Sequence, residues 1–147
     1  MGRILAIDYG QKRVGFAVTD EMRICANALE TVHVSEAYQF LINYLQQENV
    51  ESIVIGEPKT LQNTPSASAR FIEPFVKRLQ KSLPDDIKIV RVDERFTSKM
   101  ALQTMIDAGL SKKQRADKET VDKISATIIL QSYLLQQDIA LSRSQTN

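Results

Sequence analysis

Two apolar runs, RILAIDY (3–9) and VGFAVTD (14–20), are separated by Gly10, Gln11, Lys12 and Arg13. With a glycine in so short a connection, the runs are expected to pair as an antiparallel hairpin, with the tight turn at 10–12. In the first run Ile4, Ala6 and Asp8 share one face, and Leu5, Ile7 and Tyr9 share the other. Apolar side chains on both faces predict a strand covered on both sides, as at the centre of a sheet. Such a strand ends in a carboxylate, Asp8, facing Lys12 and Arg13. Asp8 has two readings: a turn residue bonding the amides of Gly10 and Gln11, or a working acid.

The pattern downstream supplies the rest of the sheet. ANALETVHV (26–34) reads as a third strand. Ser35 is a good N-cap, and Ala37, Phe40, Leu41, Tyr44 and Leu45 follow at helical spacing. SIVIG (52–56) is a buried strand. Thr64-Pro65 opens a helix toward Leu83 that uses Phe71, Phe75 and Leu79, with Pro74 expected to kink or break it. IKIVRVDE (87–94) is the next strand. Thr97 caps a helix ending at Gly109, and a last helix from about Glu119 carries Val121, Ile124, Ile128, Ile129 and Leu135. The order βββ-α-β-α-β-α-α implies an α/β mixed sheet with helices on its faces. In such sheets sites gather at strand ends near the switch in strand order. That rule selects Asp8, Gly56 and Asp93-Glu94.

Length and composition limit the function classes. The 147 residues, 43% apolar and 25% charged, suit one soluble domain over 1–137 with a loose polar tail at 138–147. No apolar run approaches the ~18 residues of a membrane span. MGRILAIDYG meets a charge at once, so no signal peptide is expected. Cys25 is the single cysteine, which excludes a disulfide framework and a cysteine metal cluster. A cytoplasmic location follows as the expectation. The net charge of +1 averages over a basic stretch at 110–123; its ordinary reading is a solvated loop, and it permits a polyanion partner without demanding one.

Two further acids bear on Asp8. Asp93 shares strand parity with Ile87, Ile89 and Arg91, and Glu94 with Lys88, Val90 and Val92, so the pair reads either as a charged loop with an Asp93–Arg95 pair or as one acid, Glu94, sitting beside Asp8. Asp122 stands in the first turn of the last helix, where an acid also suits the helix dipole. It leads a row continued by Ser125, Ala126 and Ile129. Three carboxylates converging within ~4 Å would repel by about 4 kcal/mol per pair at an effective dielectric of 20, which calls for protonation or an accompanying cation. Oxygen ligands without a cysteine or histidine cluster select Mg²⁺ or Mn²⁺. Two such ions serve phosphodiester cleavage. His33 reads as a surface or packing histidine. Gly56-Glu57-Pro58 reads as a turn that could also approach a phosphate. Thr97-Ser98 cap a helix whose N-terminus suits phosphate.

At these residues the chain resembles a known family. D-Y-G-Q-K-R-V-G-F-A (8–17), V-D-E-R-F-T-S (92–98) and V-D-K-I-S-A-T-I-I-L-Q (121–131) match, in order and spacing, the YqgF-type pre-16S ribosomal RNA nucleases, also described as Holliday-junction-resolvase-like. The resemblance spans roughly residues 3 to 136. It implies a ribonuclease H-like fold, a five-stranded mixed sheet ordered 3-2-1-4-5 with helices on both faces. It also implies that Asp8, Glu94 and Asp122 are catalytic and hold the metals, with Glu94 ending the fifth strand where ribonuclease H itself uses the fourth. Many members carry a hydrophobic residue between the Gly and Pro of the loop after the SIVIG-type strand. Here Glu57 stands at that place.

The leading expectation is therefore a metal-dependent endonuclease on structured RNA, maturing the 5′ end of pre-16S rRNA, alone or within a pre-ribosomal particle, as a monomer or homodimer. Lys12, Arg13, Arg95 and Thr97 would contact substrate, and Lys112, Lys113 and Arg115 in the basic loop would extend the footprint. Three alternatives compete. A resolvase would cut four-way DNA junctions in symmetric pairs. An actin-like ATPase shares the strand-Asp-x-Gly-strand opening but needs two such domains. A non-catalytic ribosome-assembly factor would bind RNA without turnover.

Overall fold

The structure is a computed structural model that describes residues 2–10, 12–22, 26–57, 69–93, 125–135 and 137. The hairpin forms as its sequence demands: β1 (Arg3–Tyr9) pairs antiparallel with β2 (Arg13–Thr19), Asp8 opposite Gly15 and Tyr9 opposite Val14. β3 (Ala26–His33) pairs antiparallel with the outer side of β2. A 3-10 turn (Val34–Glu36) leads into α1 (Ala37–Gln47). After α1 the chain crosses back and lays β4 (Val50–Glu57) parallel to β1. After α2 (Ala69–Ser82) it lays β5 (Lys88–Asp93) parallel to β4. The sheet is five-stranded and ordered β3-β2-β1-β4-β5, as the resemblance implied.

The two faces of β1 are buried in two separate clusters. Leu5 and Ile7, with Val14, Phe16, Ile53 and Ile55, pack under α1 and α2 through Leu41, Ile72, Phe75, Val76 and Leu79. Ile4 and Ala6, with Ala17, Val54 and Val92, pack under the helical residues 125–135 through Ala126, Ile129 and Leu130. Each fully buried aliphatic side chain contributes about 1.5–3 kcal/mol, so both layers hold the central strand. That double cover is why β1 carries no polar residue before Asp8 once past Arg3.

Three local expectations change. The cap at the start of the first helical stretch is His33, not Ser35. The His33 ring accepts the Ser35 N–H, and the chain makes a 3-10 turn before α1 begins at Ala37. Residues 69–82 are helical throughout, across Pro74. Pro74 is exposed, and what it withholds is one N–H toward the residue 70 carbonyl on the solvent side. Ile72, Phe75, Val76 and Leu79 keep the inner face packed. Leu135 is exposed rather than buried; it stands about a third of a turn from the Ile129 direction that faces the sheet. The expected start of α2 at 64–65, the helix at 97–109, the first turns of the last helix and the tail at 138–147 lie outside the described residues. Among the described residues no helix is long and apolar enough to cross a membrane.

Candidate active site

The site grows from one row of residues across the sheet. Thr31 of β3 stands opposite Gly15 of β2, and Gly15 opposite Asp8 of β1. The β1–β4 register pairs Ile7 with Ile55, so one step further brings Gly56 beside Asp8. Gly56 in turn stands opposite Val92 of β5. Asp8 is half-buried and flanked on both neighbouring strands by residues without side chains. Strands lie about 4.8 Å apart, and Gly15 and Gly56 are themselves buried. The row ends on β3 at Thr31, whose buried hydroxyl has no hydrogen-bond partner among the described residues.

Parity settles which face this is. Asp8 alternates with Ile4 and Ala6, which lie in the cluster under residues 125–135. On the opposite face Tyr9 anchors the end of the same strand, its ring 4.8 Å from that of Phe75 and tilted by 39°. Burial there raises the Tyr9 phenol above its ordinary value. The anchored tyrosine and the carboxylate are thus adjacent residues held on opposite sides of one strand.

The turn places the cations. Gly10 donates its N–H to the Arg13 carbonyl at 2.9 Å, and a Cβ built on Gly10 would lie 2.6 Å from that oxygen. Glycine is required by this approach of backbone to backbone. Lys12 is exposed and its carbonyl accepts the Val34 N–H at 2.9 Å, which fastens the hairpin tip to the segment after β3. Arg13 lies two residues before Gly15, hence on Asp8's face, and stands opposite His33 of β3. Asp8, Lys12 and Arg13 therefore occupy one rim, as the short turn predicted.

Glu94, Asp122, Arg95, Thr97, Lys112, Lys113 and Arg115 lie outside the described residues. Among the described residues no group of three His, Cys, Asp or Glu side chains converges. Gly56 was legible as a strand end whose turn could approach a phosphate, whereas Gly15 was passed over. The signal was present in RVGFAV, since a glycine inside an apolar strand marks a close approach of ligand or backbone.

Residues 2–136 match the sequence profile of the RuvX family, described as Holliday junction resolvase. The chain belongs to this family. It is 56% identical over 137 residues to a protein of Flavobacterium psychrophilum, covering 93% of this chain and 99% of that one. It is 57% identical over 134 residues to proteins of Flavobacterium johnsoniae and Bacteroides fragilis, covering 91% of this chain and 96% of each. All three carry the name of candidate pre-16S rRNA nucleases. Among solved structures, this RuvX-family fold superposes on the fowlpox virus resolvase bound to Holliday junction DNA with a TM-score of 0.56. That match has 10% identity and covers 92% of this chain and 98% of the other. The fowlpox resolvase without DNA gives a TM-score of 0.53 at 13% identity, covering 91% and 99%. These two likenesses show a shared fold, the ribonuclease H-like mixed sheet.

Proposed function

We propose that the chain is a divalent-metal-dependent endonuclease that cleaves phosphodiester bonds in structured RNA and matures the 5′ end of pre-16S rRNA in the cytoplasm. The observation that carries this reading is Asp8, a half-buried carboxylate on a central strand end, between Gly15 and Gly56 and on one rim with Lys12 and Arg13. The names of relatives more than half identical over nearly their whole length support the choice of RNA.

The donor chemistry on the described rim fits a hard cation: a half-buried carboxylate, with no sulfur ligand among the described residues of the rim. Asp8, Glu94 and Asp122 would hold two Mg²⁺ or Mn²⁺ ions. When bound, such ions make water a stronger nucleophile and stabilise the leaving oxygen. The chain's own residues do the rest. Val90 and Val92 pack on Asp8's side of the sheet, the side that strand parity in the sequence assigns to Glu94 as an expectation. Ala126 and Ile129 pack there too, and in the sequence they stand four and seven residues after Asp122. Lys12, Arg13 and Arg95 neutralise backbone phosphates, Thr97 offers a hydroxyl, and Lys112, Lys113 and Arg115 extend the basic footprint.

The family description favours a second reading, in which the same site cuts a four-way DNA junction. One experiment separates the two. Purified protein is incubated in Mg²⁺ or Mn²⁺ with precursor 16S RNA, mature RNA and a four-way junction, with Asp8→Asn as the control. The RNA reading expects cuts confined to the precursor ends. Asp8→Asn should lower kcat by at least about a thousandfold while RNA binding persists. Paired symmetric cuts in the junction with intact precursor would favour the resolvase. Full activity of Asp8→Asn would sink both.

A further inference from the structure

His33 closes β3 directly opposite Arg13. Its backbone is extended (φ −62°, ψ 146°) and its side chain caps the 3-10 turn that follows. Nδ1 accepts the Ser35 backbone N–H at 3.2 Å and lies 2.8 Å from the Ser35 hydroxyl. A ring nitrogen that accepts an N–H carries no proton, so the neutral ring holds its hydrogen on Nε2. The residue is exposed. The neighbouring Val34 N–H binds the Lys12 carbonyl at 2.9 Å, so the turn that orients His33 is tied to the hairpin tip that carries Lys12.

A capping position needs only an acceptor, and Asn, Asp or Ser supply one with a smaller side chain. Histidine adds a second nitrogen, a donor, held in a fixed direction at the rim. The β1–β2–β3 register places His33 two strands and two residues from Asp8, on the order of 12 Å between Cα atoms. Between them lie Gly15, which adds no bulk, and Arg13, which adds charge.

We propose that His33 is a further substrate-contacting residue, whose Nε2–H donates to a backbone phosphate of the nucleic-acid strand that crosses β2 away from Asp8. Lys12 and Arg13 meet the phosphates between. The inference rests on the nuclease reading above and extends its footprint to the edge strand on the side opposite β4 and β5. His33 takes no part in the chemical step.

The test separates capping from binding. His33→Asn keeps an acceptor for the Ser35 N–H and lacks the outward donor; His33→Gln keeps a donor at about the Nε2 position and lacks the cap. Kd for a labelled precursor-end RNA is measured by fluorescence anisotropy, KM and kcat by cleavage, and Tm by thermal unfolding. His33→Asn is expected to hold Tm within about 2 °C while raising Kd and KM about fivefold to tenfold, with kcat unchanged, as befits one lost hydrogen bond to phosphate. His33→Gln is expected to lower Tm but stay nearer the wild-type Kd. Wild-type Kd and KM in His33→Asn would overturn the inference and leave the nuclease reading standing. A wild-type protein that neither binds nor cuts RNA or junction DNA would overturn both.

Discussion

Replacing threonine by valine at two positions of the sheet should change stability in opposite directions. Thr19 is fully buried, and its hydroxyl oxygen accepts the Ile4 N–H at 3.0 Å. Valine fills nearly the same volume but leaves that buried N–H without a partner, a loss of about 1–3 kcal/mol. The methyl that replaces the hydroxyl returns a fraction of this, so Thr19→Val should destabilise by about 1–2 kcal/mol. Thr31 presents the reverse case. Its hydroxyl is buried and has no hydrogen-bond partner among the described residues. Valine there removes the desolvation cost of the hydroxyl and breaks nothing, for a gain of about 0.5–1.5 kcal/mol. Both residues favour strands, so propensity cancels. Urea unfolding reads the difference as a shift in midpoint at constant slope, and thermal unfolding as about 2–4 °C per kcal/mol. Equal effects at the two sites, or a stabilising Thr19→Val, would refute the claim that hydroxyl partnership decides the sign.

Other changes probe the hairpin and the rim. Gly10→Ala sets a methyl 2.6 Å from the Arg13 carbonyl oxygen and must open the turn; stretching the 2.9 Å bond between them should cost about 1.5–2.5 kcal/mol, and an unchanged urea midpoint would show that the turn tolerates a side chain. Tyr9 has its phenol raised by burial, so the folded state holds its proton where the unfolded chain has lost it. Its contribution is complete below the ordinary tyrosine range and is lost as pH rises through the raised value. Tyr9→Phe should therefore flatten the alkaline decline in stability above about pH 10, measured by urea midpoints across pH; an unaltered alkaline limb would contradict this. Arg13→Ala should weaken RNA binding for all sequences alike and reduce the slope of log K against log salt by roughly 0.7–0.9. An unchanged slope would remove Arg13 from the phosphate contacts.

What the sequence settled is local. Strand alternation has a period of two, so Asp8 had to share a face with Ile4 and Ala6, and a short glycine turn had to return Lys12 and Arg13 to the same rim. The helical stripe at Ala37, Leu41 and Tyr44, and the inward positions Phe75 and Leu79, followed from their spacing alone. Pro74 does not break the helix, because its cost depends on whether it faces solvent, and that depends on what the helix packs against.

What surrounds Asp8 was decided at long range. Nothing between Ile7 and Ile55 states that they will pair. That register comes from burying two apolar faces under helices far apart in the chain, since a one-residue slip would turn each strand inside out. Only then do Gly15 and Gly56 fall on either side of the carboxylate. The role of His33 likewise needed tertiary contacts. A lone histidine carries no preferred tautomer in a sequence, and here the Ser35 N–H donated to Nδ1 leaves the other ring nitrogen as the donor.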